Sequence, residues 1–552
     1  MSLKEQWFVD CEDMARRAGE AVESGQVRLI PDYQEKLWLH WHRRTQKRDW
    51  CLSRQIHWGH RLPAYKSAEG RWTIAESPEE ARGLLGCDDS EPEQDSDVLD
   101  TWFSSALIPL VCAGWPERLD LNRFPLALME TGHDISSFWV SRMVMLTLYV
   151  TEKEFGAPEA PFSRVLLHGL VRDPRGRKMS KSLGNTVDPL DVIEGRSLGD
   201  LQTRLDASNL SKEEISTAKQ GMAKLFPEGI VACGADALRM SLLRQDVQSS
   251  DISFDPLTVV AYRNFANKLW QALRYARRVW ELAPPSELPN SQSATPLEFS
   301  SQSTTPLEFS SQSATPLEFT DQSATTTGSL GQSASGDPVA DWLLSRLQAT
   351  AAAVDAGVEE FDFTRAVQAL VDFVILELCD VYLEYTKKPL WTESGAELEG
   401  ISAVLLETLR TSVLLMAPFM PFLSEELFAH LPRSREAESV HRQTFPRLSE
   451  AFRNESLERE MKECMNIIRS LRSARNDLGI GMKPEITGFL YCSEGTAAAV
   501  GRFSELLARI SRLSISECSH EEEDKRSWLQ KGRLSVFVNK ETQLFIDMHE
   551  GY

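Results

Sequence analysis

Apolar residues follow three different patterns along the chain, and each pattern predicts a different kind of structure. Residues 6–25 (QWFVDCEDMARRAGEAVESG) repeat them at helical spacing, which predicts an amphipathic helix that stops at Gly25. From Val98, short apolar runs alternate with helical patterns, among them a buried strand predicted over 165–171 and a helix starting in the segment 188–193. This alternation predicts βα units with a parallel sheet.

The second half of the chain has longer helical patterns. From Tyr262 onwards, apolar positions recur every 3.6 residues over long runs joined by short polar turns, which predicts an all-helical bundle. Residues 453–552 mix one helical pattern with strand-like runs at 532–538 and 542–548. The predicted fold class is therefore α/β, followed by an all-α bundle and a small C-terminal α+β segment.

Three segments interrupt these patterns of apolar residues. Residues 67–97 are acidic and rich in turn residues, which predicts an exposed connection. Residues 138–150 are apolar but too few to span a membrane and include Arg142, so we expect a buried helix. A ten-residue Ser/Thr/Pro-rich unit, SQSATPLEFS with small changes, occurs three times over 291–320. A solenoid would need these short units to bury enough apolar area to offset their ordering entropy, so we predict a disordered insertion between two helices.

These changes of pattern set the predicted domain limits. The limits are 1–35, 36–262, 263–450 and 451–552, with the repeat insertion at 285–337 inside the third segment.

Charge and cysteine content narrow the classes of function. The formal net charge of −21 argues against binding of nucleic acid over the whole surface. A local basic track nevertheless lies within 24 residues: Arg43, Arg44, Lys47, Arg48, Arg54, Arg61 and Lys66. The nine cysteines are scattered without a CxxC pair, which indicates free thiols in a reducing compartment and no cysteine-based metal site.

The segment with the most legible chemistry is RDPRGRKMSK, residues 172–181, which continues as SLGN. Half of its ten residues are basic, and it lies in a Gly/Pro-marked loop between the predicted strand and the following helix. Lysine supplies a mobile positive charge and a loop supplies backbone N–H donors, so such a segment suits a polyphosphate that must be held and released. The alternative is a solvated basic turn.

Several strings carry a resemblance to one family. The string KMSKS at 178–182 resembles the signature loop of the class I aminoacyl-tRNA synthetases. The further strings resemble the valyl branch of that family and appear in its order: WCLSRQIHWGHRLPAY at 50–65, DVLDTWFSSA at 97–106, ETGHDI at 130–135, FWVSRMVM at 138–145 and HGLVRD at 168–173. Isoleucyl and leucyl relatives share the signature loop but differ elsewhere, notably at DTWFSSA. CDVYLE at 379–384 and APFMPFLSEEL at 417–427 resemble the helical anticodon-binding domain of the same family.

The resemblance implies a role for each segment. Residues 1–35 resemble the tail of an editing or connective insertion. Residues 36–262 resemble the second half of the catalytic domain, with a Rossmann-type nucleotide-binding fold, and 263–450 resemble the anticodon-binding bundle. Residues 451–552 resemble nothing with a known role.

The resemblance also implies roles for individual residues. Lys181 matches the lysine that stabilises the leaving pyrophosphate of ATP, and Lys178 matches the part that closes over ATP; both are implied catalytic residues. The implied ATP-binding residues are Lys178, Met179, Ser180, Lys181, Ser182, Gly132, Asp134 and His168. Trp102 and Ile135 match walls of a valine pocket. No protein-bound metal is implied, since Mg²⁺ accompanies the ATP.

Each of these roles has a purely structural alternative. Asp134 suits a ribose hydroxyl, but TGHDISSF also suits a helix that Asp134 caps. Trp102 and Ile135 have the spacing of ordinary core residues. His168 has the alternative of a core histidine.

Departures from the family pattern limit the expected activity. The HIGH signature and the first half of the nucleotide-binding fold are not found, and HWGH at 57–60 lies in the wrong string to replace them. We therefore expect a valine-tRNA ligase polypeptide without its N-terminal half and most of its editing domain, inactive in valine activation when alone. The alternatives are a non-catalytic tRNA-binding or scaffold fragment that uses the helical domain and the basic track, and an unstable fragment without a function.

The expected partners are tRNA(Val), valine and ATP, with a separate N-terminal half or other synthetases as further candidates and no membrane. The insertion at 208–230 resembles eukaryotic members of the family. The acidic balance and the lack of a legible targeting peptide favour the cytoplasm over the mitochondrial matrix.

Overall fold

The computed structural model describes nine stretches of the chain: residues 5–45, 48–86, 91–249, 251–285, 336–392, 395–432, 439–448, 450–481 and 484–547. They form two compact units. The first comprises residues 1–178 and 246–254, and the second comprises residues 179–245 and 255–552. The division falls inside the basic loop, between Lys178 and Met179. The repeat insertion predicted at 285–337 lies almost entirely outside the described residues.

The first unit contains twelve strands and six α-helices among its described residues. The strands are Phe8–Val9 (β1), Arg28–Ile30 (β2), Trp50–Cys51 (β3), Ser53–Arg54 (β4), Ala64–Lys66 (β5), Trp72–Ile74 (β6), Glu93–Gln94 (β7), Val98–Leu99 (β8), Met129–Gly132 (β9), Arg164–His168 (β10), Leu170–Arg172 (β11) and Asp251–Ser253 (β12). The helices are Glu12–Glu23 (α1), Gln34–Thr45 (α2), Pro78–Leu85 (α3), Thr101–Ala106 (α4), Ile108–Cys112 (α5) and Ser141–Phe155 (α6). Short 3₁₀ turns at Leu121–Arg123 and His133–Ile135 and a π-helical turn at Ser136–Val140 complete the unit.

A parallel sheet lies at the centre of the first unit, as the alternation of patterns predicts. Its order is β2-β10-β9, with Val165 opposite both Leu29 and Met129. The central residues of β10 are buried because they pack with α1 and α6. This confirms residues 165–167 of the predicted buried strand and the predicted helix in 138–150. Helix α1 ends before Gly25, whose φ of 77° is the left-handed conformation that glycine adopts freely.

The predicted strand over 165–171 is in fact two strands. Gly169 donates its N–H to the carbonyl of Val247 at 3.0 Å, and a Cβ at this position would lie 2.3 Å from the carbonyl oxygen of Ser249. The close approach turns the chain, so β11 leaves the central sheet and pairs in parallel with β12. Sequence patterns do not reveal this break, because Leu170 and Val171 continue the apolar run.

Residues 67–97 are more ordered than the predicted connection. Strands β6, β5 and β7 form a small antiparallel sheet in that order, and α3 lies between β6 and β7. Ser77 caps α3 by accepting the N–H of Glu80 at 3.2 Å, and Gly86 ends it with a φ of 63°. Most of the described residues of this segment are exposed, as predicted, but the sequence did not indicate the strands, because two- and three-residue strands of polar sequence leave no periodic signal. Residues 87–90 lie outside the described part.

A buried histidine joins two helices of the first unit. His42 of α2 is 1% exposed, with Nδ1 2.8 Å from the carbonyl oxygen of Trp38. Its Nε2 lies 2.9 Å from Oγ of Ser141, the first residue of α6. Burial lowers the pKa of His42 to about 4, since the charged imidazolium would lose its hydration.

The second unit is mainly helical. Its α-helices are Pro189–Glu194 (α7), Leu198–Asp206 (α8), Lys212–Leu225 (α9), Ala235–Leu243 (α10), Val259–Leu282 (α11), Pro338–Glu359 (α12), Phe363–Asp372 (α13), Leu383–Thr392 (α14), Gly395–Met416 (α15), Pro421–Ala429 (α16), Glu455–Asp477 (α17), Glu494–Arg502 (α18), Ser504–Ser511 (α19) and Glu522–Gln530 (α20). Shorter 3₁₀ turns are Lys181–Leu183, Pro256–Thr258, Val440–Arg442 and Glu450–Phe452, and Phe373–Tyr382 is π-helical. The helix predicted to start in 188–193 is α7, which Asp188 caps by accepting the N–H of Leu190 at 2.9 Å.

One large apolar core runs through the helices α11 to α17, which confirms the predicted bundle. The same core extends into a four-stranded sheet of Ile486–Tyr491 (β13), Leu513–Ser519 (β14), Leu534–Phe537 (β15) and Gln543–Ile546 (β16). Its order is β14-β13-β16-β15, with β13 and β14 parallel and the other pairs antiparallel. The strand-like runs at 532–538 and 542–548 are β15 and β16. No described helix has the length and apolar character required to cross a membrane.

Candidate active site

The parallel strands β9 and β10 bring three of the predicted nucleotide-binding residues together. His168 at the end of β10 is opposite Gly132 at the end of β9. A Cβ on Gly132 would lie 2.8 Å from Oδ1 of Asp134 and 3.7 Å from Cε1 of His168, so these three residues are neighbours. The absence of a side chain at position 132 lets these neighbours pack closely against the strand end.

Both ring nitrogens of His168 lie within hydrogen-bond distance of an oxygen atom. Its Nδ1 lies 2.8 Å from the carbonyl oxygen of Gly169, and its Nε2 lies 3.0 Å from Oε1 of Glu130. The imidazole is about one-third exposed rather than enclosed in the core. The arrangement therefore does not match the alternative of a core histidine.

The alternative of Asp134 as a helix cap is also not realised. Asp134 lies inside the 3₁₀ turn His133–Ile135, which follows Gly132. The π-helical turn after it begins beyond Ile135, and no side chain caps that turn or α6. The carboxylate of Asp134 is exposed and faces the end of β9, where a polar ligand would have access to it.

Trp102 and Ile135, the predicted walls of an amino-acid pocket, belong to segments that pack together. Trp102 on α4 stacks on Phe138 of the π-helical turn, with ring centroids 6.1 Å apart and planes at 27°. Trp139 of that turn donates its indole N–H to the carbonyl of Ser105 at 3.0 Å. Trp102 and Ile135 are both half-buried, so each leaves apolar surface exposed.

A buried carboxylate that the motif analysis did not single out fixes Trp102. Asp100 is 4% exposed, and its Oδ1 accepts the backbone N–H of Trp102 at 3.5 Å, which caps α4. Its Oδ2 accepts the indole N–H of Trp50 at 2.8 Å and contacts Arg54 at 3.0 Å and Arg142 at 3.3 Å. The guanidinium of Arg142 also lies 3.9 Å from the centre of the Trp50 ring. Asp100 stands two residues before Trp102, which is a capping signal, but its cations come from distant segments.

A second buried carboxylate shapes the basic loop. Asp173 is fully buried, and its Oδ1 accepts the backbone N–H groups of Arg175 at 3.0 Å and Arg177 at 2.8 Å. Its Oδ2 accepts Nε of Arg177 at 2.8 Å. The loop closes as a hairpin with an antiparallel bridge between Arg172 and Lys178, and Gly176 has a φ of 73°. Arg175 and Lys178 are therefore presented on an ordered and exposed turn.

The rest of the signature loop is ordered within the second unit. Ser180 donates its N–H to Oδ1 of the buried Asn185 at 2.9 Å and caps the 3₁₀ turn Lys181–Leu183. Gly184 ends that turn with a φ of 63°, and a Cβ there would lie 2.0 Å from the carbonyl oxygen of Ala218 on α9. Lys181 is exposed and takes part in no ion pair among the described residues.

The predicted site residues thus divide between the two units. Gly132, Asp134 and His168 are grouped in the first unit, which also contains Trp102, Ile135 and Lys178; the second unit contains Met179, Ser180, Lys181 and Ser182. The exposed loop 57–60 (HWGH) connects β4 to β5 and is remote in the chain from these strand ends.

Part of the basic track at 43–66 is engaged within the first unit. Arg54 contacts the buried Asp100, and Arg61 donates to the carbonyls of Gln94 and Asp95. Arg43 is 3.6 Å from Glu23. Lys47 lies outside the described residues. The described residues contain no cluster of three or more His, Cys, Asp or Glu side chains suited to a metal ion.

Comparison with known proteins gives two family matches. Residues 1–255 match the class I tRNA synthetases for I, L, M and V, and residues 340–489 match the anticodon-binding domain of tRNA ligases. Among curated proteins, the chain is 35% identical over 576 residues to a valine–tRNA ligase of Caenorhabditis elegans, covering 99% of this chain and 50% of the relative. It is 36% identical over 498 residues to the Schizosaccharomyces pombe valine–tRNA ligase, covering 87% of this chain and 46% of the relative.

A mitochondrial valine–tRNA ligase of Homo sapiens is 38% identical over 493 residues, covering 86% of this chain and 42% of the relative. The chain spans about half the length of the curated relatives it matches. Among solved structures, a Mycobacterium tuberculosis methionyl-tRNA synthetase bound by methionyl-adenylate has a TM-score of 0.45 at 16% identity, covering 77% of this chain and 62% of that chain.

Proposed function

We propose that this chain, which belongs to the class I aminoacyl-tRNA synthetases, serves as a valine–tRNA ligase. The reaction is ATP-dependent activation of valine followed by its transfer to tRNA(Val). The observation that carries the proposal is the signature loop, in which the buried Asp173 orders the turn that exposes Lys178 and the buried Asn185 accepts the N–H of Ser180, which caps the turn that exposes Lys181. The valine relatives at 35–38% identity support the choice of amino acid.

The chemistry asks for alignment and charge stabilisation more than for covalent catalysis. The carboxylate of valine attacks the α-phosphorus of ATP, the bond to the β-phosphate oxygen breaks, and pyrophosphate leaves with its negative charge. The resulting valyl-adenylate then acylates a ribose hydroxyl of the tRNA. Mobile cations near the leaving phosphates lower the barrier, and Mg²⁺ bound to ATP shares that role.

Individual residues are assigned within this proposal. Lys181 stabilises the leaving phosphates, and Lys178 with Met179, Ser180 and Ser182 forms the loop that closes over ATP. Gly132 and Asp134 contact adenosine and its ribose at the end of β9, and His168 faces ATP from the end of β10. Trp102 and Ile135 line the valine pocket, since an indole and a branched aliphatic side chain suit a small branched substrate.

The test is valine-dependent exchange of pyrophosphate into ATP by the full 552-residue chain. Loss of one preorganised donor to the developing charge lowers kcat by about 10²–10³-fold, so Lys181→Ala should reduce exchange by that factor. Lys212→Ala is the matched control, because Lys212 is also exposed and lies on α9 outside the loop. Exchange that is equally fast in Lys181→Ala and Lys212→Ala would contradict the assignment of Lys181.

A non-catalytic tRNA-binding role is the second candidate. It is favoured by the match of residues 340–489 to an anticodon-binding domain together with coverage of only about half of each relative. A chain that melts cooperatively, binds tRNA(Val) and shows no exchange would support this candidate over the first. A separate chain that restores exchange would identify a partner polypeptide.

The cytoplasm is the proposed compartment, with the mitochondrial matrix as the alternative, because the relatives include proteins named for mitochondria. Fractionation of cells that express a C-terminally tagged chain distinguishes the two.

A further inference from the structure

We propose that helix α9 is a brace that fixes the position of Lys181, and that Gly221 is the positioning residue of this brace. The inference deepens the proposed function and rests on it for the catalytic importance of Lys181. The contact between α9 and the turn that carries Lys181 is a feature of the fold and does not depend on that function.

The contact is made between two backbones. A Cβ on Gly221 of α9 would lie 2.4 Å from the carbonyl oxygen of Leu183, the last residue of the 3₁₀ turn Lys181–Leu183. One helical turn earlier, the carbonyl oxygen of Ala218 would lie 2.0 Å from a Cβ on Gly184, which ends the same 3₁₀ turn. One glycine on each side therefore lets the helix and the turn approach more closely than any side chain would permit.

Gly221 is an unfavourable residue for the helix itself. It lies in the interior of α9, where glycine is destabilising relative to alanine because glycine loses more backbone freedom on folding. A residue that weakens its own helix at the point of closest approach to Leu183 is explained by that approach.

Helix α9 is itself held in place within the second unit. Its N-terminus is a capping box, in which Oγ of Ser211 accepts the N–H of Glu214 at 3.3 Å and Oε2 of Glu214 accepts the N–H of Ser211 at 2.9 Å. Nζ of Lys219 lies 2.7 Å from Oδ1 of Asp206 on α8. Ala218 is fully buried. The helix can therefore resist displacement by the turn.

The turn is fixed on its buried side and open on the other. Gly184 and Asn185 are buried, and Asn185 accepts the N–H of Ser180 across the turn at 2.9 Å. Lys181 is exposed. Because the backbone of this turn abuts α9, the place from which the ammonium group of Lys181 reaches a phosphate is set by the helix.

Ordinary packing of a surface helix would not require this geometry. With alanine at position 221, α9 would still bury apolar side chains such as Met222. Alanine would remove only the close approach, because the methyl carbon and the Leu183 oxygen must separate by about 1 Å to reach van der Waals distance. A misplacement of 1 Å in groups that align reactants can lower a rate by about 10²-fold.

The first test is the kinetics of valine-dependent pyrophosphate exchange by the full chain carrying Gly221→Ala. Gly400→Ala is the matched control, because Gly400 also lies inside a helix of the second unit, α15, but a Cβ there would meet nothing within 4 Å. We expect Gly221→Ala to lower kcat by about 10²-fold and Gly400→Ala to leave kcat unchanged.

A double-mutant cycle separates positioning from a loss of folded protein. If Gly221 acts through Lys181, adding Gly221→Ala to Lys181→Ala should change kcat by less than about twofold, because the group that it positions is already absent. A helix with a merely structural role would lower kcat by the same factor in both backgrounds.

The second test uses a milder change and does not depend on catalysis. Lys219→Met removes the ion pair with Asp206 without creating a collision at the turn. Hydrogen exchange followed by mass spectrometry should then be about two- to fivefold faster in residues 212–225, the effect of a partly exposed ion pair, and faster by a similar factor in residues 180–185. Lys212→Met, at the exposed start of the same helix, is the control and should change neither rate.

The results distinguish this inference from the proposed function. Faster hydrogen exchange in 212–225 with an unchanged rate in 180–185 would overturn the brace, as would a loss of kcat in Gly221→Ala that persists in full beside Lys181→Ala. If the parent chain catalyses no pyrophosphate exchange, the proposed function fails, and the hydrogen-exchange rates still decide whether α9 holds the turn.

Discussion

Replacing Asp100 by Asn should destabilise the first unit, because the change leaves two arginines without the carboxylate that neutralises them. The substitution preserves shape but removes the charge that faces Arg54 at 3.0 Å and Arg142 at 3.3 Å. The side chain of Arg142 is only 12% exposed; burial lowers the pKa of Arg142, and Asp100 opposes that effect. Breaking a buried pair by removing one partner costs about 3–5 kcal/mol. Asn retains one acceptor oxygen, so we expect the lower end, about 3 kcal/mol.

A local measurement isolates the region around Asp100 from the second unit of the chain. Hydrogen exchange followed by mass spectrometry, on peptides covering residues 98–112 and 136–150, reports the opening free energy around Asp100. Asp95→Asn is the matched control. Asp95 also accepts an indole N–H, from Trp7 at 2.9 Å, but faces no cation among the described residues, so its change should cost about 1 kcal/mol.

Removal of the stranded cation should rescue part of the loss. In a double-mutant cycle with Arg142→Met, we expect a coupling energy of about 2 kcal/mol or more between the two positions. If Asp100→Asn costs no more than Asp95→Asn, or if the cycle shows no coupling, the charge network does not hold Trp102 in place. If the charge network does hold Trp102 in place, Asp100→Asn should raise KM for valine in the pyrophosphate-exchange assay and leave KM for ATP little changed.

Three further predictions concern the loop and the buried histidine. Asp173→Asn removes the carboxylate that orders the loop, so it should raise KM for ATP in the pyrophosphate-exchange assay and speed hydrogen exchange over residues 172–178. An unchanged rate of hydrogen exchange over these residues would contradict this role. Gly184→Ala should cost about 1–3 kcal/mol more than Gly176→Ala, because both residues have positive φ but only at Gly184 would a Cβ collide with Ala218; equal effects in urea unfolding would refute the steric argument. The pKa of His42 is about 4 in the folded state against an ordinary 6.5, so the unfolded state binds more protons between these two pH values. The free energy of unfolding should therefore fall by up to about 3 kcal/mol as the pH drops from 6.5 to 4. In His42→Gln this dependence of the unfolding free energy on pH should flatten.

The sequence is informative wherever a short motif contains its own chemistry. The KMSKS string, the cap at Asp188 and the amphipathic runs from Tyr262 all depend on residues that are close in sequence, so local spacing predicts them. The grouping of Gly132, Asp134 and His168 also follows, because each lies at or just after the end of a parallel strand.

Features that depend on distant contacts were not predictable in the same way. Asp100 interacts with Arg142, 42 residues later, and nothing in either segment specifies the other. Strand β14 is largely polar and pairs with β13 in parallel, so neither alternation nor a turn signal reveals the pairing. The π-helical form of Phe373–Tyr382 is invisible as well, since its residues continue a 3.6-residue pattern.

The pairing of β11 with β12 has a consequence for how the chain matures on the ribosome. Leu170 and Asp251, which start the two strands, are separated by about 80 residues, all of which precede β12 during synthesis. At about 5–20 residues per second, the polypeptide spends roughly 4–16 s with Leu170–Arg172 unpaired. An open strand edge is a template for pairing with other chains. Slow codons or a scarce chaperone during that interval would lower the yield of native protein without changing a single contact of the finished molecule.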